Sequence, residues 1–398
     1  MSKRLQNVLY GLVLAVASAA IVAQTDPSVT RAQPVVIGVP LPLTGEYQAF
    51  GLMMKNSFEL ALETINQGGG IKGRPLQLSY GDDRSNPKLA EQVVADLIEG
   101  AGAVMLTGGY QSDTTYALAR AANARDVPFL VSTAAADKIT QKGWRNIYRL
   151  NPPVSEYTAG FESFLIKELQ PKSMAIVFED SMFGTGAAAA MMTFLRKTGI
   201  EMTHLISYSS AQATPFALRS LLAPLTAEPP DIIYMISYLS DGIALVRTIR
   251  NLRIPAQISG GAGGFTHPRF LEEAADDAEG MLVVTLWSEQ LPYAGAKTFF
   301  DRYLEAYGVA PDYHGAEAYS AALVAADALK RAASFGSADV RQALDKTRLM
   351  TPFGPVRFYA YEDFERQNSV RTQVLQVRDG EFQLVWPLDL TKVPSAHH

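Results

Sequence analysis

From residue 35 onward the chain repeats one local pattern, a short apolar run followed by an amphipathic stretch, and few folds accommodate it. The apolar runs are VVIGVPL (35–41), AVMLTG (103–108), PFLVS (128–132), MAIVFED (174–180), DIIYMIS (231–237) and GMLVVTLW (280–287). Each has the length of a strand, and their near-continuous apolar character predicts burial on both faces, as in parallel sheets. Between and after them lie segments with helical periodicity, 49–66, 86–99, 112–125, 184–198 and 240–253, several opened by Asn, Ser or Asp and closed by Gly. Strand and helix in alternation predict the α/β class, with doubly wound parallel sheets covered on both faces. The units are too many for one compact layer, and 398 residues suffice for two separate cores, so the pattern predicts two lobes.

A boundary is expected near Asn151-Pro152-Pro153, which separates the early strands from the series beginning at Met174. Toward the C-terminus the pattern changes. Phe353-Gly354-Pro355 leads into VRFY, and VRTQVLQVRDGEFQLVW reads as two alternating strands around Arg378-Asp379-Gly380, a hairpin signal. The expected organisation is a first lobe of 34–152 plus 286–350, a second of 153–285 plus 351–390, and a tail of 391–398, the lobes being joined by a multi-strand hinge.

Export is read from the N-terminus. Lys3 and Arg4 precede the apolar run Val8 to Ala23, with small-residue cleavage options such as Ala17-Ser18-Ala19. The run is shorter than the roughly 20 residues that span a bilayer, so residues 1–32 read as a signal peptide, cut between about 19 and 32, rather than an anchor. Its removal takes away Lys3, Arg4, Arg31 and Asp26 and moves the net charge from −5 to −7. Such a chain is acidic, and its Lys and Arg are scattered, which excludes the footprint of a nucleic-acid binder. The absence of cysteine excludes disulfides, thiolate metal sites, a cysteine nucleophile and a lipid-modified cysteine anchor.

Catalytic patterns are absent: there is no GxSxG, no GxxxxGK[ST], no HExxH and no GxGxxG. Gly260-Gly261-Ala262-Gly263-Gly264 lacks the spacing and the Lys of a phosphate loop, and five histidines with no HxH or HxxxH pair do not make a metal site. No cofactor or metal is expected. What the sequence offers instead are small and polar residues at the carboxyl ends of expected strands, where open α/β sheets bind ligands. Gly109-Tyr110-Gln111-Ser112-Asp113 follows one strand and Thr133-Ala134-Ala135-Ala136-Asp137 another. Free N–H groups at a helix start can hold an anion such as a carboxylate, although Ser112 is equally suited to plain N-capping. Phe183-Gly184-Thr185-Gly186 could set a ring and bare backbone over the same cleft or form an ordinary strand-to-helix turn.

These stretches resemble the leucine/isoleucine/valine-binding protein family, the type I periplasmic binding proteins of hydrophobic amino-acid ABC importers. The similarity runs from Val35 to Trp386 and is most specific in IGVPLPLTGEYQAFG, in INQGGGIKGRPL, and in Asp82-Asp83 with Asn86-Pro87-Lys88; GGYQS, VSTAAAD, VFEDSMFGTG and TPFGPVRF follow in family order. The resemblance implies a periplasmic, monomeric, non-enzymatic binding protein that closes two lobes around a small carboxylate or amino acid and delivers it to an inner-membrane ABC permease. It implies further that Ser112 donates to the ligand carboxylate, that the main chain around Ala134 and Ala136 adds contacts, and that Phe50, Tyr110, Phe183 and Tyr238 wall the ligand's other end, with core packing as their alternative role. Where amino-acid binders of the family place a glutamate for the ammonium, this chain has Ala262. Asp241 could replace that charge or serve as an N-cap. The positions of the family's disulfide fall at Ser85 and Gln111. A sensing receptor domain and an exported α/β enzyme are the alternatives; the enzyme would need a Ser, a His and an acid meeting in the cleft.

Overall fold

The computed structural model describes residues 33–389, so the expected signal peptide at 1–32 and the tail at 391–398 lie outside the described residues. The expected helices and most of the expected strands form, and they assemble into two seven-stranded sheets.

In the first lobe β1 (Val35–Leu41), β2 (Leu76–Asp82), β3 (Met105–Gly108), β4 (Phe129–Val131) and β5 (Ile147–Arg149) are parallel in the order β2-β1-β3-β4-β5. In the second, β6 (Ser173–Glu179), β7 (Glu201–Tyr208), β8 (Ile232–Ile236), β9 (Gln257–Gly260) and β10 (Leu282–Thr285) repeat that order as β7-β6-β8-β9-β10. The central strands are buried on both faces: every residue of β8 is buried, as are five of the seven in β6. Helices cover them on both sides, which is why their sequences read as continuous apolar runs rather than alternating ones.

The C-terminal strands divide between the lobes. After the small antiparallel pair β11 (Leu349–Thr351) and β12 (Gly354–Val356), β13 (Tyr359–Tyr361) and β14 (Phe364–Gln367) join the first sheet, where Gln367 registers beside Arg149 of β5. Only β15 (Gln373–Arg378) and β16 (Glu381–Trp386) join the second, β15 antiparallel to β10 and β16 antiparallel to β15. The assignment of all of 351–390 to the second lobe is corrected accordingly. The expected hairpin at Arg378-Asp379-Gly380 is present between β15 and β16. Both sheets therefore add a two-stranded antiparallel hairpin at one edge, entered through the parallel strand β14 in the first sheet and through the antiparallel strand β15 in the second.

Three connections link the sheets, after β5, after β10 and after β14. Gln367 binds two of them together: its Nε2 donates to the carbonyls of Asn151, at 2.7 Å, and Asn368, while Asn368 Nδ2 donates to Leu150 O at 2.9 Å. In the first lobe the helices Ala296–Tyr307 and Tyr313–Arg331 pack on the helix Gln48–Gln67, with Tyr307 donating to Asn56 O at 3.1 Å.

Candidate ligand-binding cleft

In both sheets the strand order reverses beside the first strand of the lobe, and the loops at those carboxyl ends face each other across one cleft. A narrow cavity lies there, lined from the first lobe by Tyr110, Ser112, Thr133, Ala135, Tyr313 and His314, and from the far side by Tyr157, Phe183, Tyr238 and Gly263. No lining side chain is acidic.

Contacts across the cleft hold the lobes together. Gly263 N–H donates to the Tyr313 hydroxyl at 3.1 Å, Thr266 Oγ1 donates to Asp312 Oδ2 at 2.8 Å, and Met182 N–H donates to Asp113 Oδ2 at 3.3 Å. The rings of Tyr47 and Tyr238 approach to 4.7 Å and those of Phe50 and His267 to 4.7 Å. Gly263 has φ +60°, and a Cβ there would lie 2.9 Å from Ser237 O and 3.2 Å from the Phe183 ring, so the loop comes this close only with glycine.

One end of the cavity is formed by Ser112 at a helix start and by the Thr133–Ala135 loop. Ser112 is the first residue of the helix Ser112–Ala124, whose N-cap is Gln111: its side chain accepts from Thr114 N at 2.8 Å. Capping is thus performed by the neighbour, and the Ser112 Oγ instead accepts the Ala136 N–H at 3.2 Å, with its proton left to donate. Anions are favoured at a helix N-terminus of this kind. Ala134 and Ala136 are buried, and Ala135 between them is the alanine that reaches the cavity. Behind the loop, Arg149 Nη1 takes the carbonyls of Ala135 at 2.8 Å and Ala136 at 2.7 Å.

The other end is aromatic. Tyr110, Phe183 and Tyr238 line the cavity, whereas Phe50 does not; it stacks on Tyr110 at 4.6 Å and meets His314 edge-on at 4.7 Å, holding the ring wall from behind. Ala262 is fully buried and brings no charge. Asp241 is neither a cavity wall nor an N-cap: Tyr238 occupies the cap position, and Asp241 Oδ1 accepts from Ser210 at 3.3 Å while Oδ2 is buried without a partner. Burial, against the Ser210 hydrogen bond and reinforced by Glu46, pushes the Asp241 carboxyl up to about 6. Glu179, likewise buried and facing Asp241, Asp113 and Glu46, is pushed up to about 7. These four acids form a seam at the edge of the cleft rather than a wall of the cavity.

Residues that the sequence reading did not single out complete the site. His314 Nδ1 lies 2.8 Å from Asp312 Oδ2, which fixes the ring edge that faces the cavity. Burial alone would push the Asp312 carboxyl up, but His314, His267 and Thr266 outweigh it and hold it below the usual carboxylate range. Among the described residues no hydrogen bond joins this Asp-His pair to Ser112, whose Oγ accepts from Ala136 N–H. Glu317, one turn along the helix from Tyr313, is fully buried beside Thr133; burial, against the Thr133 hydroxyl, pushes its carboxyl well above the usual range. Among the described residues no group of acids and histidines is arranged to hold a metal, and no helix is long and apolar enough to cross a membrane.

The sequence matches the family described as periplasmic binding protein over residues 34–381. A curated relative, Leu/Ile/Val-binding protein homolog 7 of Brucella melitensis, is 27% identical over 368 residues, covering 87% of this chain and 88% of that protein. In fold the chain is similar to the branched-chain amino acid substrate-binding protein LivJ from Streptococcus pneumoniae, solved with isoleucine (TM-score 0.81, 21% identity, 89% of this chain and 99% of that one). It is also similar to a solute-binding protein of an ABC transporter from R. palustris solved with benzoate (TM-score 0.79, 19% identity, 88% and 95%). With the two-lobed fold, the cleft at the strand ends and a match spanning nearly the whole described chain, the protein belongs to the periplasmic binding protein family that includes the leucine/isoleucine/valine-binding proteins.

Proposed function

We propose that this protein is the exported, monomeric solute-binding component of an ABC importer, that it works in the periplasm, and that its ligand is a small carboxylate lacking an ammonium group, of the size of an aromatic or branched organic acid. The observation that carries the reading is the polarity of the cavity: the Ser112 and Thr133 hydroxyls beside a helix N-terminus at one end, aromatic rings elsewhere, and no acidic side chain in the lining. A buried ammonium without a carboxylate partner is strongly disfavoured, whereas a carboxylate meets a helix N-terminus and donors. The relatives include proteins solved with isoleucine and with benzoate, so both ligand classes fit the fold.

Binding acts by population shift. Ligand contacts from Ser112 on one lobe and Phe183 and Tyr238 on the other exist together only when the lobes are closed, so ligand favours the closed form that a membrane permease would recognise.

One observation favours a second reading. Glu317 lies fully buried beside Thr133 and Tyr157 with no cation paired to it among the described residues, and an ammonium reaching it would find a counter-charge. A thermal-shift screen of the mature protein against leucine, its keto acid and benzoate separates the two, since ligand at 100 times Kd stabilises by about 2.7 kcal/mol. The expected result is a shift with the keto acid or benzoate and none with leucine. A shift with leucine alone, abolished by Glu317→Gln, would replace this reading with amino-acid binding.

A further inference from the structure

The side chain of Arg149 is fully buried at the end of β5, and among the described residues no carboxylate lies within ion-pair distance of it. Each of its three nitrogens donates to a neutral acceptor: Nε to Gln367 Oε1 at 2.7 Å, Nη2 to Thr140 Oγ1 at 2.9 Å, and Nη1 to the carbonyls of Ala135 and Ala136, with Ala134 O at 3.5 Å. Asp137, Glu156, Tyr157 and Tyr361 act on it only through space; Asp137 accepts from Ser155 N–H, and Glu156 accepts from Tyr361 and Ser369. Burial lowers the guanidinium to about 10, so it remains charged at neutral pH. A charge enclosed in this way is costly unless something else in the molecule uses it.

The direction of the loop shows what that is. A trans peptide unit points its C=O and N–H in opposite directions. Because the carbonyls of Ala134, Ala135 and Ala136 turn inward to Arg149, the N–H groups of Ala135, Ala136 and Asp137 turn away from it. The Ala136 N–H is seen doing so, reaching the Ser112 Oγ at 3.2 Å. The hydrogen bonds therefore run in series: Arg149 Nη1 to Ala135 O, across the 135–136 peptide, and from Ala136 N–H to Ser112 Oγ. Donation into the Ser112 oxygen polarises its own O–H, and each bond in such a series strengthens the next.

We infer that Arg149 is the positioning residue that makes this cleft select anions, its enclosed charge being transmitted through the Ala135–Ala136 peptide and Ser112 to the carboxylate of the ligand. Arg149 never touches the ligand. Through Gln367, which also ties two of the three connections between the lobes, it holds the carboxylate loop and the hinge in one hydrogen-bonded unit. The inference rests on the proposal that a ligand carboxylate sits at Ser112, but not on whether the ligand also carries an ammonium.

The test compares carboxylates with their neutral amides by calorimetry: benzoate against benzamide and leucine against leucinamide. The wild-type protein is expected to prefer the acid of at least one pair. Arg149→Met should cut that preference by about tenfold or more while leaving amide affinity nearly unchanged, and Arg149→Lys should restore part of it, which a purely structural role would not produce. Should Arg149→Met fail to fold, Thr140→Asp carries the same test, since it leaves the guanidinium in place and sets a neutralising carboxylate beside Nη2. A preference for the acid that survives Arg149→Met or Thr140→Asp undiminished overturns the role of Arg149 alone. A wild-type protein with no preference for either acid over its amide overturns the carboxylate site itself, and this inference with it.

Discussion

The two lobes share one strand order and present the same switch point to the cleft, yet they furnish different chemistry there. The first lobe supplies the rings of Tyr110, Tyr313 and His314 but also the polar end, a helix start at Ser112 and the Ala134–Ala136 loop backed by the enclosed Arg149 guanidinium. The second supplies the rings of Phe183 and Tyr238 and the glycine loop at Gly263, with Glu179 and Asp241 at the edge. A common topology fixes where a ligand sits and says little about its charge; that is decided by which side chains end each strand.

The contrast is broken most directly at its polar end. Ser112→Ala removes a hydroxyl placed to make a charge-assisted hydrogen bond, and affinity for the acid ligand is expected to fall about tenfold or more, measured by calorimetry, with the unliganded fold retained. Unchanged affinity would take Ser112 out of the site and leave the first lobe without its assigned role. A smaller loss is expected from Thr266→Val. That change deletes the donor to Asp312 across the cleft, a contact that separation of the lobes would break, and Asp312 keeps its bonds to His314. One hydrogen bond lost from the closed state at roughly 1 kcal/mol corresponds to an affinity drop of about fivefold, expressed as faster ligand release in stopped-flow kinetics. No change in release rate would mean that closure does not depend on this contact.

How much of this could be read from the sequence also differs by region. The buried strands β1, β6 and β8 and the helices after them are legible because burial on both faces leaves unbroken apolar runs. β2 and β7 are edge strands with half-exposed, mixed sequences, LQLSYGD and EMTHLISY, and β5 and β9 are too short to carry a period, so none of these four stands out. The place of β13 and β14 in the first sheet depends on Gln367 pairing beside Arg149, more than 200 residues apart, which no local pattern encodes. In the site, residues next to strand ends were accessible to sequence reasoning. Arg149 was not, because an arginine ending a three-residue strand looks like an ordinary surface residue until the carbonyls of the 134–136 loop are seen to converge on it. His314 and Glu317 arrive on a helix distant in sequence from the other site residues. The only local hint is that Asp312, Tyr313, His314 and Glu317 crowd the start of an otherwise alanine-rich helix.

The smallest effect concerns the acid seam, and it sharpens the contrast by pH. Glu46 and Asp113 from the first lobe face Glu179 and Asp241 from the second, and burial raises Glu179 to about 7 and Asp241 to about 6. Both exceed their unfolded values near 4, so the native, closed protein binds more protons than the unfolded chain in this interval. Stability is accordingly highest below about pH 4 as far as these two groups are concerned, and their contribution is lost as pH rises through about 6 to 7. Tm is expected to decline modestly between pH 5 and pH 7.5, and the doubly neutral variant with Asp241→Asn and Glu179→Gln should flatten that profile. Because neither acid lines the cavity, the same variant should bind the acid ligand as well as the wild-type protein at pH 7.5 or slightly better. A marked loss of affinity would place the seam within the ligand's reach and give the second lobe a charge-reading role that its aromatic wall does not have.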